Sequence, residues 1–252
     1  MLVKGINDTY AISYPQKYNY FTSTGDFYVQ GNIMSLINED NFKDSITLTE
    51  DHALGYLFKG CTKLTSVKNL ILPATTLTEG CYNAIFYGCT ALTDAPKLPA
   101  TTLAQSCYSG MFFNCTSLTT APELPALTLQ QNCYVGMFQG CTNLTIAPEL
   151  PATTLAKYCY VGMFSNCTSL TEAPELPATT LVQGCYNGMF EDCTNLNYIK
   201  AMFITTPSST YTSHWVNGVA SSGTFVKNSA AQWNVSGVNG VPSGWTVETA
   251  SE

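Results

Sequence analysis

Apolar and polar positions alternate along this chain in two modes. In residues 98–124, Leu103, Ala104, Cys107, Tyr108, Met111 and Phe112 fall on one half of a helical wheel, while Gln105, Ser106, Ser109, Phe113 and Asn114 fall on the other. That division predicts an amphipathic helix of about three turns. Thr102 stands at its start with Gln105 three residues on, the spacing of a capping box. The same offset pairs Thr76 with Glu79, Thr128 with Gln131 and Thr180 with Gln183. The next mode is shorter: Thr-x-Leu-Thr, then Ala-Pro-x-Leu-Pro. It predicts an extended segment with Leu118 and Leu124 inward, Pro122 limiting its pairing and Pro125 turning the chain back.

Both modes recur together. LPATTLTEGCYNAIFYGC (72–89) returns at 98–115, 124–141, 150–167 and 176–193, a step of 26 residues each time. A fixed period of this length predicts stacked coils that share one core, each touching only its neighbours. The expected fold class is therefore α/β, a leucine-rich-repeat-like solenoid with one short extended segment and one helix per repeat. Strands stack about 4.8 Å apart and helices 8–10 Å apart, so the rod is expected to curve with helices on its convex face.

The position before the second cysteine of each repeat is Gly60, Gly88, Asn114, Gly140, Asn166 or Asp192, all tolerant of a left-handed backbone; it reads as the helix stop. At the ends, 18–23 and 26–37 read as strands joined at Gly25, and 49–61 as a degenerate first repeat. Residues 209–219 read as a helix carrying Trp215, with 224–227 and 245–248 as a strand pair. The expected organisation is a β cap (1–45), the solenoid (46–200) and a C-terminal cap with a helix and a strand pair (201–252).

Eleven cysteines fall into two columns rather than pairs: Cys81, Cys107, Cys133, Cys159 and Cys185 precede Tyr, and Cys61, Cys89, Cys115, Cys141, Cys167 and Cys193 precede Thr-x-Leu. An odd total is poor arithmetic for a disulfide framework. Eight helical residues separate the columns by about 12 Å, and neighbouring helices stand too far apart for a bridge. Buried free thiols are the expectation.

Composition narrows the function. Hydrophobic residues make up 45% and charged ones 11%, too apolar for disorder, yet no run is long enough to span a membrane. A net charge of −7, with ten Lys and Arg in all, offers no basic patch for a nucleic acid. No signal peptide is visible, as expected of an intracellular chain or of a processed or excised part of something longer; residues 1–30 open in strand-like sequence, which favours the excised reading. The two histidines, His52 and His214, lie at opposite ends, and no nucleophile elbow, phosphate loop or metal-binding His pair occurs. The expectation is a non-enzyme without cofactors.

The repeats resemble BspA-like leucine-rich repeats. The likeness rests on the Phe-Gly-Cys-Thr-type stop (58–62, 86–90, 138–142), the following Leu64, Leu92 and Leu144, and Leu98-Pro99. It covers roughly 46–200, and the tail 223–248 is similar to an end module that follows such arrays. The Cys-Tyr pair and the rather long period depart from the family. The resemblance implies surface or secreted proteins of gut and oral bacteria and of some phages, and adhesion or ligand binding without a shared catalytic residue. The expected function is thus a cell-surface or secreted binding module recognising a host or microbial protein or glycan, with oligomeric state open. The alternative is a structural or decoration component of a phage virion or surface appendage.

Within the repeats, what varies outward is free of folding duty. Tyr87 and Phe113 share one column, with Val135, Tyr158 and Val161 nearby on later coils; neighbouring exposed apolar side chains mark a candidate partner surface. Glu123, Glu149 and Glu175 stack in another column and are weaker candidates for calcium, which prefers several oxygens. The tyrosines of the Cys-Tyr pairs fall on the buried half and read as core.

Overall fold

The computed structural model describes residues 11–13, 17–18, 21–38 and 40–251. Its coils stack as the period requires, with Leu92, Leu118, Leu144, Leu170 and Leu196 all buried in one continuous core. Thr76 bridges Thr102 in parallel across neighbouring coils, as Thr128 bridges Thr154 and Thr120 bridges Ile146. The extended side is therefore stitched by isolated bridges rather than long strands. Prolines at 96, 122, 148 and 174, which carry no N–H, keep it so.

The other side of each coil is not a helix, and no α-helix occurs among the described residues. The backbone there runs as a ladder of β-turns. In residues 78–89, the N–H groups of Cys81, Asn83, Ile85, Tyr87 and Cys89 donate three residues back, to Thr78, Gly80, Tyr82, Ala84 and Phe86. The intervening N–H groups donate forward to the next coil: Gly80 to Gln105, Tyr82 to Cys107, Ala84 to Ser109, Phe86 to Met111 and Gly88 to Phe113, at 2.7–3.0 Å. Every fourth residue has positive φ: Gly80 (+55°), Ala84 (+51°) and Gly88 (+70°). The same three columns recur in later coils, for example at Ser106, Gly110 and Asn114.

Spacing is the physical reason. Backbone bonds between extended segments hold coils about 4.8 Å apart. A helix is about 10 Å across and cannot stack at that step. The turn ladder can, because half of its N–H groups are free to bond between coils. Both sides thus advance by equal steps, which removes the reason for expecting curvature. The capping box is absent too: Gln105 instead donates from its Nε2 to Glu79 Oε1 one coil back, at 3.0 Å.

The side-chain division survives this change of backbone. Cys107, Tyr108, Met111 and Phe112 are buried, while Gln105 and Asn114 are exposed and Ser106, Ser109 and Phe113 are half-buried. The buried rings form two files. Phe58, Phe86, Phe112, Phe138, Phe164 and Phe190 stack at 5.5–5.8 Å, and Tyr82, Tyr108, Tyr134, Tyr160 and Tyr186 at 5.8–5.9 Å. All eleven cysteines are buried free thiols. The second column is also bonded: Cys115 Sγ donates to Phe86 O and Cys141 Sγ to Phe112 O, each at 3.1 Å. Tyr82 Oη is buried without a partner.

The ends extend the stack. β1 (Ala11–Ser13) and β2 (Lys17–Tyr18) pair antiparallel. In place of one strand over 26–37 come two short ones, β3 (Phe27–Tyr28) and β4 (Gly31–Asn32). They pair in parallel with β5 (Leu64–Ser66) and β6 (Leu70–Ile71) of the next coil. The strand expected over 18–23 falls partly on residues 19–20, outside the described residues, and 21–23 is not strand. Phe21 nevertheless stacks on Phe58 at 5.3 Å and accepts Cys61 Sγ on its carbonyl, so this segment takes the place of one more coil. Residues 33–36, expected as strand, make one 3₁₀ turn instead, because the Asn32 side chain accepts the Met34 N–H and starts it.

At the other end the helix expected over 209–219 is again a turn run. Phe190 N–H donates to Trp215 O and Asp192 N–H to Asn217 O, so this segment is the last rung of the ladder and is held at the same step. The two strands expected in the tail pair in parallel with a third: β7 (Tyr198–Ala201), β8 (Thr224–Lys227) and β9 (Thr246–Thr249) form one sheet. Three indole N–H groups close the core against backbone carbonyls: Trp215 to Gly240, Trp233 to Phe203 and Trp245 to Ala220.

Candidate functional site

The turn ladder decides what the outward face looks like. Two inward residues alternate with two outward ones, so each coil presents the same few outward positions, stacked in columns. One column runs Asn83, Ser109, Val135, Val161, Asn187, Ser213; beside it runs Ala84, Gly110, Gly136, Gly162, Gly188, His214. A third runs Tyr87, Phe113, Gln139, Ser165, Glu191. The middle column has positive φ in every coil and is glycine at 110, 136, 162 and 188, which leaves a floor without side chains between two walls over those coils.

Tyr87 and Phe113 do come together. Their rings stack at 4.6 Å and 3°, and Lys59 Nζ lies 5.2 Å from the Tyr87 centroid. The pair therefore has its faces turned to each other and to a cation, with edges outward. Phe113 keeps one face toward the next coil, over Gly136: a Cβ built there would lie 3.6 Å from Phe113 Cδ2. Val135 and Val161 stack in the first wall, both half-buried. Tyr158 lies apart, in the outermost positive-φ column, with its ring folded over Gly184.

Further along the same face is a groove of about 400 Å³. Its floor is Gly162 and Gly188; Gln139, Ser165 and Glu191 make one wall, Val161, Asn187 and Ser213 the other, and His214 closes the end. Of the candidate binding residues expected from sequence, only Val161 lines it. Gln139 Oε1 and Glu191 Oε2 fold down toward the floor, each 3.4 Å from where a Cβ would stand on Gly162 and Gly188 respectively. Glu191 Oε1 accepts Asn217 Nδ2 at 3.3 Å, and Ser213 Oγ lies 3.0 Å from His214 Nδ1. Asn187 Oδ1 accepts the Ser213 N–H at 2.8 Å. Ser165 is only 4% exposed; its hydroxyl accepts Asn166 Nδ2 at 3.1 Å.

One signal could have found this groove: Gln139, Ser165 and Glu191 share the column of Tyr87 and Phe113, and glycine recurs three residues ahead of each. Glu123, Glu149 and Glu175 are exposed, and Glu175 pairs with Lys200 at 2.9 Å. Among the described residues no group of three His, Cys, Asp or Glu gathers that could hold a metal ion. No helix among them is long and apolar enough to cross a membrane.

Stacked coils with a leucine-lined core and a variable outward face define a repeat solenoid. The family model of the BspA type leucine rich repeat region matches residues 37–147 and 126–213, in six copies. The chain belongs to that family. Neither the curated proteins nor the solved structures provide a match.

Proposed function

We propose that the chain is a non-catalytic binding module of a cell-surface or secreted protein, recognising a protein or glycan through the outward turn face. One observation carries this reading. Buried positions repeat almost letter for letter, whereas the outward columns change from coil to coil and bring unlike groups side by side. Folding alone does not ask for a stacked Tyr87–Phe113 pair at the surface beside a polar groove. Tyr87, Phe113, Val135, Tyr158 and Val161 belong to this proposed surface. Membership of a leucine-rich-repeat family supports it. Segments 1–45 and 201–252 are read as caps of the array 46–200, a role that the bonded indoles of the C-terminal end support.

The test is capture. The immobilised chain is presented with host matrix proteins, mucins and glycans, beside a variant carrying Tyr87→Ser and Phe113→Ser. At least one class is expected to bind, and more weakly to the variant. Silence across the panel overturns the reading.

A second reading, a structural or decoration component of a phage virion or appendage, is favoured by β9, an edge strand whose four residues are all exposed. Co-purification with particles would support it.

A further inference from the structure

We propose that the groove over Gly162 and Gly188 takes a neutral glycan chain lying along the coil stack. This rests on the reading of the turn face as a binding surface and names the ligand class for one part of it.

The argument begins with the floor. A peptide recognised by strand addition needs free main-chain donors and acceptors. Here the floor has none to give. Gly162 N–H donates to Asn187 O and Gly188 N–H to Ser213 O, while Gly162 O accepts Ser165 N–H and Gly188 O accepts Glu191 N–H. Recognition in this groove must come from side chains.

Those side chains are a mixed polar set: two carboxamides, two hydroxyls, one carboxylate and one imidazole. No Lys or Arg lines the groove and Glu191 does, so an anionic ligand meets repulsion without compensation. A polyol, by contrast, offers a donor and an acceptor at every hydroxyl. It matches carboxamides, which do both, and a carboxylate that accepts from two neighbouring hydroxyls. The Ser165 hydroxyl, nearly buried in the wall, accepts from Asn166 and has no acceptor for its own proton among its described bonds. A ligand oxygen would supply one.

Val161, in the opposite wall, gives the groove an apolar side chain against which a sugar ring can pack. The stack presents one side chain per wall at every coil, about 4.8 Å apart, a step close to that of one pyranose in an extended chain. The volume lies within the range of small-ligand sites, roughly 300–1,000 Å³.

The test is calorimetric titration of the full chain with soluble neutral tetrasaccharides of glucose, mannose, galactose and xylose in α and β linkages, and with heparin as the anionic arm. At least one neutral oligosaccharide is expected to bind. Glu191→Ala should weaken it by about tenfold or more. Gln139→Trp, which covers the floor, should abolish it, and Leu127→Ser, on an exposed residue outside the groove, should leave it unchanged. Thermal melts confirm that each variant is folded, and Gln139→Ala replaces Gln139→Trp if the larger side chain disturbs the stack. No binding by any neutral oligosaccharide, binding of heparin alone, or binding undiminished in both groove variants overturns the proposal. Capture of a matrix protein despite such a result would leave the surface-binding reading standing, whereas silence in both assays removes both.

Discussion

At the scale of single residues, the positive-φ columns set the tightest constraints. Gly184 has φ +63°, and a Cβ there would run into the Tyr158 ring. Gly184→Ala should therefore cost about 2 kcal/mol or more, through backbone strain and the clash together. In a Tyr158→Ala background the clash is gone, and the same change should cost about 1 kcal/mol. A double-mutant cycle by urea unfolding measures the difference. The thiol columns differ as well. Cys141 Sγ reaches Phe112 O at 3.1 Å, whereas Cys159 Sγ reaches Cys185 O only at 3.9 Å. Serine at 141 keeps an acceptor for its hydroxyl; serine at 159 does not. Cys159→Ser should destabilise by about 1–3 kcal/mol and Cys141→Ser by clearly less. Tyr82 offers the opposite case. Its buried hydroxyl has no partner, so Tyr82→Phe should be neutral or stabilising by up to about 1 kcal/mol.

At the scale of the element, helix and turn ladder make different predictions that are easily separated. Circular dichroism should show no helical double minimum, because the turn ladder donates its N–H groups three residues back or to the next coil. Excision of residues 124–149 removes one period and rejoins a Glu-Leu-Pro sequence identical to the original junction. The shortened chain should fold and melt cooperatively, somewhat below the parent, since each coil is supported only by its neighbours. Excision of half that length should abolish the transition.

The element is also where the local pattern and the backbone part, for an identifiable reason. Cys107-Tyr108, Met111-Phe112 and Cys115 recur at intervals of four, and over eleven residues a period of four divides side chains much as 3.6 does. The wheel therefore separated buried from exposed side chains well while assigning the wrong backbone. Gly110, Gly136, Gly162 and Gly188 were the warning: glycine inside a helix costs about 1 kcal/mol relative to alanine, and here it recurs in four successive copies. The Gly/Asn/Asp column is left-handed as its residue types predict, at Asn114 (+55°) and Gly140 (+75°), but it is one of three such columns rather than a terminus.

For the whole molecule, the buried thiols make stability depend on alkaline pH. Burial pushes Cys61 and Cys185 up to about 11, and Cys89, Cys107, Cys159 and Cys193 up to about 12, from an ordinary 9.0; it raises the other five as well. Below about pH 9 both folded and unfolded thiols hold their protons, and this contribution to stability is complete. Above it the unfolded chain releases protons that the folded chain keeps. Each fully buried thiol then loses about 1.4 kcal/mol per pH unit until its folded value is reached. Many thiols acting together should give a melting temperature that is flat near neutrality and falls steeply above about pH 9. Alkylation at neutral pH should label the native protein hardly at all and the denatured, unreduced protein at eleven sites.

What the sequence determined by itself is the period, the coil stack and the identity of the buried columns. Burial follows from the spacing of apolar side chains, whatever their backbones bond to. The odd number of thiols points to their being free, whereas the helix spacing that points the same way does not exist. Only the tertiary structure decided where the backbone hydrogen bonds go. That choice depends on a neighbour a whole period away along the chain, and a local pattern carries no information about it. It set the step between coils, opened the glycine floor, and brought Gln139, Val161, Asn187, Glu191 and His214 from successive coils around one groove.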